Sequence, residues 1–103
     1  MISNALVGQG LNKVIEAPSG KTFANLCLFL CNFDLEMGEV VDVHIVKSGE
    51  SPSETNVIIS QLYICPTHTF TLEEKFFIES GDSIWVAAQV GSRVSATMTY
   101  TDV

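Results

Sequence analysis

The chain has 103 residues, 47% of them apolar and only 17% charged, and a net charge of −7. That length fits one domain, and twelve acidic against five scattered basic side chains argue against nucleic acid or an anionic membrane as partner. Average soluble proteins carry about 25% charged residues, so a surface this short of charge points to burial, either in a homo-oligomer or by docking on a larger surface.

Taken in chain order, Ile2 to Val7 reads as a short strand or, together with the residues to Leu11, as an N-terminal arm (1–11) that bends at Gly8 and Gly10. Asn12 to Ala17 is a strand closed by the turn Pro18-Ser19-Gly20. Lys21 to Phe33 is a long strand, apolar at Leu26, Leu28 and Leu30 and again at Cys27, Phe29 and Cys31. A strand apolar on both faces sits centrally, with one face on the core and the other against a second layer or a neighbour. Asp34 to Glu39 is a polar loop. Val40 to Lys47 then alternates, with Val41, Val43 and Ile45 on one face and Asp42 and His44 facing outward.

Ser48 to Thr55 is the most loop-like stretch. The segment Ser53 to Leu62 is long enough for a helix, but β-branched Val57, Ile58 and Ile59 favour a strand over Val57 to Ile64. Strands follow at His68 to Leu72, Phe76 to Glu79, Ser83 to Val90 and Arg93 to Val103, punctuated by Pro66, Gly81 and Gly91. Short strands at this spacing predict an all-β fold, an antiparallel β-sandwich of about eight strands with jelly-roll or immunoglobulin-like topology, forming one domain over 1–103.

The residues that could carry chemistry are sparse. Cys65 and His68 have the spacing of half a zinc site but lack a second pair. Cys27 and Cys31, four apart on one strand, lie about 13 Å from each other and cannot form a disulfide. No nucleophile elbow is present, Gly8-Gln9-Gly10 lacks the Lys-Ser/Thr of a phosphate loop, and Glu73 and Glu74 face opposite sides of a strand. The expectation is a protein that is not an enzyme and uses no cofactor or metal. The longest apolar run, Leu26 to Phe33, is far short of the roughly 20 residues that span a bilayer. With no basic n-region at the start, the expected site of synthesis is a reducing cytoplasm.

The aromatics and the N-terminal segment supply the candidate subunit contacts. Ile2, Leu6, Val7 and Leu11 would act if 1–11 reaches a neighbour. Phe29 reads as core packing, and it is kept among the candidate contacts because its strand is apolar on both faces. Trp85 alternates away from Ile84 and Val86, on the same face as Gln89, so it is either covered by the chain itself or anchors a contact.

The order of several short elements resembles small β-sandwich virion proteins of tailed bacteriophages, especially phages of marine bacteria and cyanobacteria. These elements are Pro18-Ser19-Gly20-Lys21-Thr22-Phe23, Leu30-Cys31-Asn32, and Val43-His44-Ile45-Val46-Lys47-Ser48-Gly49. They continue with Val57-Ile58-Ile59, Thr69-Phe70-Thr71-Leu72 and Glu79-Ser80-Gly81-Asp82-Ser83-Ile84-Trp85-Val86. One turn departs from that pattern: where Pro-Ala-Gly-Asp-Thr is expected, the chain has Cys65-Pro66-Thr67-His68-Thr69, without the glycine. The resemblance implies a structural component of the virion, made in the host cytoplasm. Its preferred role is a capsid decoration (cement) protein docked on the major capsid protein. A neck or tail component, or a receptor- or glycan-binding module using Trp85 and Gln89, are the alternatives.

Overall fold

The computed structural model describes residues 1–103, apart from the side chain of Lys75. Eight strands run in order: β1 (Ile2–Val7), β2 (Gly10–Glu16), β3 (Phe23–Asn32), β4 (Glu39–Val46), β5 (Val57–Ile64), β6 (Thr69–Ile78), β7 (Ser83–Ala88) and β8 (Val94–Asp102). Four antiparallel pairs, β1 with β8, β2 with β7, β3 with β6 and β4 with β5, fold the chain in half as one long hairpin whose tip is the 47–56 loop. Rolling that hairpin up adds β3 to β8 and β4 to β7. The result is two four-stranded sheets, β1-β8-β3-β6 and β2-β7-β4-β5. This is the jelly roll; the immunoglobulin-like alternative does not apply.

Period-2 alternation builds the core as expected. Leu26, Leu28 and Leu30 of β3 and Val94, Ala96 and Met98 of β8 point inward from the first sheet. They meet Val41 and Val43 of β4 and Ile84, Val86 and Ala88 of β7 from the second. Val57 to Ile64 is a strand, so the β-branched residues override the length that would have allowed a helix.

Three expectations change. The two strands expected at His68 to Leu72 and Phe76 to Glu79 are one strand, β6. Leu28 pairs with Leu72 and Leu26 with Phe76, so β6 takes four residues where β3 takes two. The apolar alternation breaks at Glu73-Glu74 because those residues form a bulge, not because the strand ends. Residues 2–7 form a regular edge strand paired with β8 from Ile2–Thr99 to Val7–Val94. Within it Val7 is fully buried, so it belongs to the core and is not a subunit contact. His44 points away from the core but is only 9% exposed, because the 48–56 loop folds over it. Asn56 Nδ2 donates to Ser51 O and its Oδ1 accepts from Ser53 N, which fixes the amide and requires His44 Nδ1 to donate across 2.8 Å.

The crossing from one sheet to the other at residues 8–10 is held by Asn12, whose Nδ2 donates to Gly8 O and Gly10 O at 2.7 and 2.9 Å. Gly91 presses on this crossing. Its φ is 88°, and a Cβ there would strike the backbone of Gln9. Gly20 has a similar φ of 79° but faces open space. Gly20→Ala should therefore cost about 1 kcal/mol of backbone strain, and Gly91→Ala several times more, as read by urea unfolding of the two variants side by side.

Candidate functional site

The residues expected to make contacts do not converge; they divide between the two outer faces. Ile2 and Leu6 of β1 and Phe29 of β3 share the outer face of the first sheet, where Phe29 pairs across to Thr97 and Thr71. Leu11, Trp85 and the exposed Gln89 belong to the other side, with Leu11 paired to Ala87 and Trp85 paired to both Lys13 and His44. Trp85 is half-buried. Its Nε1 donates to Ser83 Oγ at 2.9 Å, and Lys13 Nζ lies 5.6 Å from its ring centre. Lys13 covers part of the ring and leaves part of it open. Gln89 lies four residues further along, about 13 Å away in extended chain, so the two do not form a sugar platform.

A different surface, unmarked by any motif, gathers at one end of the sandwich. Phe33, Leu35 and Met37 of the β3–β4 loop are 51%, 82% and 53% exposed. Tyr63 near the end of β5 and Val90 beyond β7 emerge at the same end and are also exposed. Exposed apolar side chains on a loop are costly unless something covers them.

These loops are fixed by buried polar groups. Asn32, fully buried, donates from Nδ2 to Met37 O and Ile64 O, both at 3.0 Å, and its Oδ1 accepts from Asp34 N. Glu39, 2% exposed, accepts from the backbone N–H groups of Gly91 at 2.7 Å, Val40 at 3.1 Å and Val90 at 3.2 Å. Arg93 donates to Gly38 O and stands 3.8 Å from the Asp34 carboxylate. Asp34 Oδ1 in turn accepts from Glu36 N and Met37 N. These two backbone donors, helped by Arg93, hold the Asp34 carboxyl below its ordinary value of 3.8.

The turn without its glycine belongs to this end. Thr67 has a φ of 65°, so a β-branched residue adopts the left-handed conformation that glycine would take more easily. Its N–H donates to Asp34 O at 3.1 Å, which ties the β5–β6 turn to the β3–β4 loop. Cys65 and His68 flank Thr67 and line a shallow cleft of about 200 Å³ with Phe70 and Tyr63. Among the described residues no three His, Cys, Asp or Glu side chains are placed to share a metal. All three cysteines are free thiols.

The fold defines the chain as a jelly-roll β-sandwich, with one loop end clamped by buried polar groups. No family model matches it, and a search of curated proteins finds no match.

Two outcomes follow from this end of the molecule. Relieving the left-handed strain at Thr67 outweighs the extra freedom glycine gives the unfolded chain, so Thr67→Gly should stabilise by about 0.5–1 kcal/mol in urea unfolding. The depressed Asp34 carboxyl stabilises the fold above its ordinary value of 3.8 and loses that effect as pH falls through its lowered folded value. Wild type should therefore exceed Asp34→Asn in thermal stability at pH 6, and the gap should close as pH falls below 3.8 through the lowered folded value.

Proposed function

We propose that this protein is a structural component of a tailed-phage virion, a capsid decoration protein that docks on the major capsid protein through the loop end of its jelly roll. The observation that carries this reading is the exposed apolar cluster of Phe33, Leu35, Met37, Tyr63 and Val90 on loops that are already rigid. Because the buried Asn32 and Glu39 fix those loops in advance, docking costs little ordering entropy. Burying one such side chain contributes about 1.5–3 kcal/mol, and many weak contacts repeated over a shell add through multivalency.

The low charge content and the order of sequence elements shared with phage virion proteins support the same reading. Jelly rolls also occur in viral capsids and in lectins, a likeness of fold that by itself assigns no role. The separation of half-buried Trp85 from Gln89 leaves the glycan-binding alternative with less support than the docking reading.

The test is binding of the purified chain to phage shells that lack it. Leu35→Glu, at a position 82% exposed, should leave the fold intact and weaken shell binding about tenfold or more. Quantitative mass spectrometry of virions then places the protein. A copy number comparable with the major capsid protein supports decoration, a small fixed number moves it to the neck or tail, and absence from the particle refutes the virion reading.

A further inference from the structure

We infer that the outer face of the β1-β8-β3-β6 sheet is a self-association surface whose occupant is a second copy of this chain. The argument is electrostatic. A molecule of net charge −7 repels its own copies wherever its carboxylates face one another. Nine of the twelve acidic residues lie off this sheet, and the other three stand at its margins. Asp34 and Glu36 lie at one loop end; Glu50, Glu54, Glu79 and Asp82 lie in loops at the opposite end. Glu16 and Asp42 belong to the second sheet, and Glu39 is buried. Glu73 and Glu74 sit in the β6 bulge at the margin of the first sheet.

Strands β1, β3 and β8 contain a single charged residue, Asp102, in the last position of β8, where it pairs with Lys21 at 3.4 Å. Between them lie three cross-strand rows without charge, Ile2–Thr99–Cys27, Asn4–Thr97–Phe29 and Leu6–Ser95–Cys31. β6 extends the last two rows with Thr71 and Thr69. Across these rows two copies can meet without opposing carboxylates, provided that Glu73 and Glu74 stay at the margin. The face is also largely of small side chains, so a second sheet can approach it closely. Ile2 and Leu6, 69% and 59% exposed, project at its edge and would be covered by the partner.

The same patch on both copies makes a two-fold, isologous contact. Strands about 4.8 Å apart and about 3.3 Å per residue give the face a projected area of about 400 Å². A stable pair buries about 800 Å² per partner, so the dimer is weak in dilute solution and is strengthened where copies are held side by side. The proposal rests on the assembly reading above for that second condition, but it is tested apart from it.

The experiment is sedimentation velocity of the full chain over a range up to about 500 µM, a concentration at which a weak interface of this size is populated. Wild type should pass from monomer to dimer, and Thr97→Glu, which sets like charges together at the centre of the face, should stay monomeric with unchanged circular dichroism and melting temperature. Ser60→Glu, an equal charge on exposed β5 of the other sheet, should dimerise like wild type. Wild type that stays monomeric throughout, or Thr97→Glu that still dimerises, overturns the inference. Equal loss in Ser60→Glu does so too, because it shows that net charge and not this face decides. Shell binding is read separately. A monomeric wild type that still binds shells removes only the self-association face, and a dimer absent from virions removes only the virion reading.

Discussion

Glu39 holds a carboxylate away from water at the start of β4, and three backbone N–H groups surround it. A buried carboxylate without partners would cost several kcal/mol; hydrogen bonds to an ionised acceptor are among the strongest a protein makes. The donors come from β4 itself and from the β7–β8 loop, so one side chain locks two central strands of the same sheet at one end. Gly91, one of those donors, also rests on Gln9 at the crossing between sheets. The position of the loop end, and with it the exposed apolar cluster, therefore depends on this clamp.

Much of the fold was legible because a half-buried strand writes itself at period 2. Leu26-Leu28-Leu30 and Val94-Ala96-Met98 both predict the inner face the structure shows. What could not be read was long-range or irregular. The choice between jelly roll and immunoglobulin-like topology rests on β1 meeting β8 and β2 meeting β7, pairings with no local signal. The break at Glu73-Glu74 looks the same in sequence whether a strand ends or bulges. His44 was read as outward, which its alternation supports, but the Asn56 hydrogen bond that buries it comes from a loop twelve residues away. Thr67 shows the opposite case: the absent glycine was visible, while only the neighbouring backbone reveals that the turn keeps the left-handed geometry regardless.

The candidate contacts were harder still. Alternation marks which residues can leave the core, and in the structure Ile2, Leu6 and Phe29 share an outer face. Alternation does not choose between the faces of a strand apolar on both: Phe29, which reads as core packing, lies outward because Leu28 and Leu30 take the inner face. Leu11, Trp85 and Gln89 fall on the other side of the sandwich, and Val7 falls inside it. The loop-end cluster has no signature in the sequence, because Leu35 and Met37 stand in an acidic segment, Asp34 to Glu39, that reads as a solvated loop. Asp34 is in fact the scaffold of that loop, accepting the N–H groups that turn Leu35 and Met37 outward.

The folded-hairpin pairing also sets an order in time. β4 and β5 are joined by a short loop and close at small entropic cost, whereas β1 and β8 are separated by nearly the whole sequence. Zipping outward from the hairpin tip makes β1 and β8 the last strands to pair. Those two strands supply most of the uncharged outer face. If pairing follows that order, the uncharged outer face is complete only on chains that have finished folding, and a contact made through it would select for them.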